Sequence, residues 1–314
     1  MRILGLTALA LVLLGLPHVL VGSYFVHVMI VALLFAMLAI GLDLVMGYCG
    51  QFSFGQGAFY GIGAYASALL ALNLGWPFWV TLPAAVAITA AFGALLGVPS
   101  LRLAGHFLAI TTIAFQVIVN LVLTQWHSFT GGTAGLTGIP TPAPVRLGGL
   151  VVADFESPIG YYYLTLGVAA LCVGVAVRLT RTRLGREWLA VREDELLAKT
   201  MGINTTRIKV LAFTLSAAMA GAAGSLIAHY LRNIHPSEFT IWTSAEIVAM
   251  VILGGRGTLA GPILGAVALT ILPEYLRVAH DYKLIFYGVA LIVMITFLPR
   301  GLVGGLRALQ ARTA

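Results

Sequence analysis

The sequence predicts an all-α, polytopic integral membrane protein of about ten transmembrane helices in a single domain. Three observations lead there. Sixty percent of the 314 residues are hydrophobic and 9% are charged, too few polar groups to cover a soluble domain, where roughly a quarter of residues carry charge. The apolar residues form runs close to the ~20 that a helix needs to cross a bilayer core. The basic residues crowd between those runs: eight of the 18 Lys and Arg lie between Arg178 and Lys209. A membrane protein is expected to segregate its positive charge in this way.

The runs, in order, are 3–21, 25–46, 58–72, 78–98, 107–125, 161–179, 210–231, 239–253, 258–276 and 284–298. The first follows Arg2 and could also be a cleaved signal sequence. Pro17-His18 interrupts it and no small-x-small site follows, so it reads as a retained span. Starting inside, ten spans put Arg2, Arg102, most of the Arg178–Lys209 segment, Arg256, Arg300, Arg307 and Arg312 on one side. That side is expected to be the cytoplasm, with both termini there. The other side receives only Arg146, Arg232, Arg277 and Lys283. Trp76, Trp79, Trp126 and Trp242 fall near the outer ends of spans, where indole rings favour the interface. The net charge of +7 therefore points to membrane lipid and not to nucleic acid. Cys49 and Cys172 adjoin apolar runs without metal-ligand spacing and are expected as free thiols.

The outer loop, 126–160, carries Pro140, Pro142 and Pro144 with several glycines, and reads as a turn-rich cap. It is either a simple cover or part of a surface that meets a delivery protein outside.

Two glycine-dense stretches adjoin apolar runs. One begins Gly47-Tyr48-Cys49-Gly50 and continues through Gln51, Ser53 and Gln56; the other is Gly254-Gly255-Arg256-Gly257 followed by Thr258 to Pro262. Glycine alone can serve close helix packing. Together with Gln, Ser and Pro it also fits interrupted helices, which are tolerated at membrane depth only against protein or a water-filled cavity. Broken spans of this kind lie beside transport paths. Asp43, Glu246 and Glu274 fall inside predicted spans, where a carboxylate facing lipid is costly. Each is expected to face the bundle, a partner or water. Asp43 and Glu246 serve either as pathway contacts or as hydrogen bonds between helices.

The charged segment, 180–209, must stand in water. From Arg186 to Met201 it suits one helix of about four turns, stopped by Gly202. Asn204 or Thr205 can cap the helix that follows. Trp188, Leu189, Val191, Leu196, Leu197 and Met201 supply apolar contacts, and Glu195–Lys199 is an i,i+4 ion pair. Such a helix either lies on lipid headgroups or offers a docking surface to a soluble protein.

Several blocks in one order resemble the permease subunits of bacterial branched-chain amino acid ABC transporters of the LivM type. They are 47–64 (GYCGQFSFGQGAFYGIGA), 101–115 (LRLAGHFLAITTIAF), 130–140 (TGGTAGLTGIP), 184–204 (LGREWLAVREDELLAKTMGIN), 209–224 (KVLAFTLSAAMAGAAG), 253–266 (LGGRGTLAGPILGA) and 298–302 (LPRGL). The resemblance implies a type II importer fold beside a LivH-type sister permease. It also implies two LivG/LivF-type cytoplasmic ATPases and a periplasmic or surface substrate-binding protein. It assigns the charged segment as a coupling helix: Arg192, Glu193, Asp194, Glu195, Ala198 and Gly202 match the family's REDE…A…G core, with Arg186 in the same block. Asp43 stands where a neutral polar residue is expected, and Cys49 where a small one is usual. Relatives that move urea or short amides leave the cargo open.

No G-x-x-x-x-G-K-[ST] loop occurs, so ATP hydrolysis is expected from a partner. The chain is expected to be a non-catalytic permease with no cofactor and no metal. Nothing resembles a nucleophile–base pair or a metal constellation. The alternative is an ion-coupled carrier or channel working alone, with Asp43 and Glu246 titrating.

Overall fold

A computed structural model describes residues 23–98, 106–147 and 150–275, with the isolated Gly15, Pro17, Gly288 and Val289. Apart from those isolated residues, the predicted spans 3–21 and 284–298 lie outside the described residues. So do Arg2, Arg102, Arg277, Lys283, the C-terminal arginines and the side chain of Glu274. Seven helical stretches among the described residues are long and apolar enough to cross a membrane, Pro236–Gly254 among them, and one more, Ala260–Ile271, is apolar but shorter. These eight correspond to the second through ninth predicted spans.

Helix α1, Ser23–Asp43, runs directly into a π-helical turn over Leu44–Tyr48. α2, Gln56–Leu74, ends at Gly75, whose φ of 66° supplies a left-handed C-cap. α3, Phe78–Gly97, and α4, His106–Gln125, follow. α5, Pro158–Arg181, starts with Ser157 accepting from the Gly160 N–H and Pro158 in the first turn, a strong start signal. Two short helices, α6 (Arg183–Glu193) and α7 (Glu195–Thr200), make the charged insert. α8, Thr205–Leu231, is capped by Asn204. α9, Ile241–Gly254, and α10, Ala260–Tyr275, complete the described bundle.

The outer loop is not wholly irregular. Its strand β1, Leu136–Thr137, pairs antiparallel with β4, Asn233–Ile234, beyond α8. Between them in sequence, β2 (Val145–Leu147) and β3 (Leu150–Ala153) form a small hairpin.

α8 is the central element, packed against α1, α2 and α3. The approach is close because small residues face each other. A Cβ on Gly63 would meet the Gly221 Cα at 2.5 Å, and such contacts supply van der Waals packing where lipid gives no hydrophobic drive. The opposite face of α4, with Phe107, Ile110, Ile118 and Leu121, is exposed and suits lipid. Trp76, Trp79, Trp126 and Trp242 are all partly exposed. They sit at the ends of α2, α3, α4 and α9 on the side of the outer loop, opposite the insert.

Polar residues knit that loop end together. His229 Nδ1 lies 2.6 Å from the Pro140 carbonyl, which can only accept, so Nδ1 carries the proton. Nε2 lies 3.0 Å from Ser67 Oγ and 3.3 Å from Thr81 Oγ1, and Ser67 also meets Ser225 at 2.8 Å. Tyr161 donates to the Leu226 carbonyl at 2.6 Å. A buried histidine thus joins α2, α3, α8 and the loop.

Candidate functional site

The chain leaves α1 through a π-turn in which the Cys49 N–H reaches the Leu44 carbonyl at 3.1 Å, five residues back. Gly50 then turns the backbone with φ of 73°, and the chain stays non-helical until α2 begins at Gln56. This start is deep in the bundle. Gln56 Oε1 accepts from Ser216 at 2.9 Å, and Ser216 lies about 16 Å along α8 from Thr205 at 1.5 Å per residue. Gln56 Nε2 donates to the Leu38 carbonyl of α1 at 3.1 Å.

Side chains satisfy the freed backbone of this first break. The Phe54 N–H donates to Thr112 Oγ1 at 2.9 Å, and the Gly57 N–H to Ser244 Oγ at 2.9 Å. Ser244 in turn donates to Gln116 Oε1 at 2.9 Å, and Gln116 Nε2 donates to the Phe239 carbonyl at 2.8 Å. Irregular backbone at membrane depth persists here because protein groups replace water. Ser53 Oγ accepts from the Gly55 N–H at 3.2 Å and Gln51 lies buried nearby.

The second break separates α9 from α10. Gly255 and Gly257 have φ of 111° and 74°, values that favour glycine. The two breaks meet: the Gly257 N–H donates to Asp43 Oδ1 at 2.7 Å. Asp43 is fully buried, and its Oδ2 has no hydrogen-bond partner. A side chain at Gly47 would overlap the Asp43 carboxylate and the Gly257 N–H, so glycine is required for the contact. Glu246 lies elsewhere, half-buried on α9 and about 12 Å along that helix from Gly254.

The insert is two helices, not the single one expected. Asp194 adopts an extended conformation (φ −157°, ψ 110°), and its Oδ1 accepts from the Leu196 and Leu197 N–H groups at 2.8 and 3.0 Å. Aspartate competes well for this role, so it starts α7 instead of continuing α6. Gly202, at φ of 81°, ends the elbow. Trp188 is fully buried and donates to the Ile208 carbonyl at 3.0 Å, fastening α6 to α8. Glu195 meets Lys199 at 3.1 Å and the buried Lys209 at 2.6 Å. Partial burial would raise the Glu195 carboxyl, but hydrogen bonds and charge from the two lysines hold it below the usual range. Leu196, Leu197 and Met201 are left 73%, 60% and 76% exposed.

The predicted coupling residues therefore divide. Arg186 and Glu193 are exposed. Asp194, Glu195, Ala198 and Gly202 build the elbow itself, with Ala198 buried. Arg192 turns back, its Nη1 donating to the Gly47 carbonyl at 2.8 Å. Of the path candidates, Asp43 and Gly257 meet directly and Gly254 and Gly255 end α9, while Gln51, Ser53 and Gln56 belong to the first break. Thr112, Gln116, Ser216, Ser244 and Lys209 join them unforeseen. For α4 the signal was present: Thr112, Gln116 and Asn120 recur at i,i+4,i+8, one polar stripe on an apolar helix. Among the described residues no group of three His, Cys, Asp or Glu could hold a metal.

Broken spans packed at depth and a charged insert tied to them mark a multi-pass membrane protein. The profile of the family described as "Branched-chain amino acid transport system / permease component" matches residues 24–296, and the chain belongs to that family. It is 38% identical over 294 residues to the high-affinity branched-chain amino acid transport system permease protein LivM of Salmonella typhimurium, and 37% identical to that of Escherichia coli K12. Each alignment covers 88% of this chain and 69% of the relative. Against the Escherichia coli K12 permease protein LivH it is 26% identical over 289 residues, 86% of this chain and 91% of that one. No solved structure matches it. The chain is an ABC importer permease subunit, LivM-like and without catalytic activity of its own.

Proposed function

We propose that this chain forms half of the translocation path for branched-chain amino acids in the bacterial cytoplasmic membrane, beside a LivH-type sister permease. Two cytoplasmic ATPases drive it, and a substrate-binding protein delivers solute to the outer-loop side. The names of the relatives support the solute and the pairing. The side carrying the insert and Arg256 faces the cytoplasm in this reading, which the basic residues there support.

One observation carries the docking assignment. Leu196 and Leu197 on α7, and Met201 at its C-terminal cap, stand exposed, while Ala198 on the same helix is buried and Glu195 is tied to Lys209. Exposed leucines on a water-facing elbow call for an apolar groove in a soluble partner. The experiment is Leu197→Asp in the complete transporter. Co-purification of the ATPases and ATP-driven uptake are both expected to fall about tenfold, as for loss of a buried hot-spot residue. Wild-type levels of both would overturn the assignment.

A further inference from the structure

We propose that Arg192 is a strut joining the charged insert to both helix breaks, so that displacement of α6 is carried directly to the Asp43–Gly257 contact. The inference rests on the importer reading for its purpose, but its geometry stands by itself. Arg192 lies in the last turn of α6, and its side chain runs over Gly50. A Cβ there would meet Arg192 Cγ at 2.7 Å and Arg192 Cα at 3.1 Å. Beyond Gly50 the guanidinium reaches the Gly47 carbonyl, 2.8 Å from Nη1. That carbonyl is among the last of a helix, where backbone acceptors lack helical partners and a cation is favoured. The guanidinium also borders the second break. A Cβ on Gly257 would sit 3.0 Å from Arg192 Nη1 and 3.2 Å from the Gly47 carbonyl oxygen.

The side chain is held on its other edge too. Nε and Nη2 donate to Glu193 Oε1 at 3.1 and 2.7 Å. One planar fork thus grips the insert with two nitrogens and the membrane break with the third, which a lysine ammonium cannot reproduce. The junction is also poised. Asp43 Oδ2 is buried without a partner, a cost that separation of the breaks and entry of water would remove. Pulling α6 away therefore withdraws the group that keeps the π-turn against Gly257.

Cys49, fully buried between Gly47 and Gly50, is a native reporter. In the full chain carrying Cys172→Ser, Arg192→Ala is expected to raise maleimide labelling of Cys49 about tenfold, as local opening of the break exposes it. In the assembled transporter the same variant should lower the uptake achieved per ATP hydrolysed about tenfold. A merely structural residue would lower hydrolysis and uptake together. Arg192→Lys should keep the charge yet remain about fivefold below wild-type uptake. Unchanged Cys49 labelling overturns the strut, as do full rescue by lysine and parallel loss of hydrolysis and uptake. A wild-type chain that recruits no ATPase would instead sink the importer reading and leave the labelling to decide the strut.

Discussion

Lys209 is 1% exposed, and its Nζ lies 2.6 Å from Glu195 on the insert. Glu195→Gln would leave a buried ammonium facing a neutral partner, at a cost of about 3 kcal/mol, the lower end for a broken buried pair because Glu195 is part-exposed. Adding Lys209→Met should restore most of that loss in detergent thermal unfolding. The pair also sets a pH dependence. The Glu195 carboxyl is held below its ordinary value of 4.5 when folded, so its contribution is complete above that value. It is lost as pH falls through the folded pKa. Melting temperature should therefore drop below about pH 4.5 in the wild type, and the part due to this group should vanish in Glu195→Gln. The sequence shows the Glu195–Lys199 pair, found at 3.1 Å, but Lys209 reads there as one more solvated charge. Its burial was nonetheless legible. Thr205, Ile208, Lys209, Ala212, Phe213 and Ser216, all buried, fall on one stripe of a 3.6-residue helix.

At the scale of elements, the two glycine breaks were visible from composition because Gln, Ser and Pro accompany the glycines. Their meeting was not, since nothing local links Asp43 to Gly257 across 214 residues. The insert shows the opposite failure. Its helical pattern is plain, but the pattern runs through Asp194, where a capping carboxylate wins over continuation. Gly47→Ala tests the junction between breaks. Its methyl would overlap the Asp43 carboxylate and the Gly257 backbone N–H, and the backbone cannot move aside as a side-chain end can. Loss of about 3 kcal/mol, read as reduced thermal stability and folded yield, is expected, whereas Gly75→Ala should cost about 1 kcal/mol, through its positive φ alone.

For the whole molecule, antiparallel succession of the helices puts the insert at one end and the outer loop with its tryptophans at the other. In intact cells with both native cysteines replaced by serine, a cysteine at Glu156 should react with a membrane-impermeant maleimide, and one at Leu196 only in inverted vesicles. The reverse pattern would turn the importer upside down. The bundle was legible because spans need only length and apolarity; pairing was not, because α8 finds α1, α2 and α3 through glycines and serines that look alike in every span. The long reach of these contacts has a consequence for biogenesis. Gln56 waits 160 residues for Ser216, and Asp43 waits 214 for Gly257. At ribosomal speeds of ~5–20 residues per second, Asp43 spends roughly 10–40 s in the bilayer before its partner is synthesised. The nascent chain must be sheltered through that interval, by the insertion machinery or by water drawn in beside it.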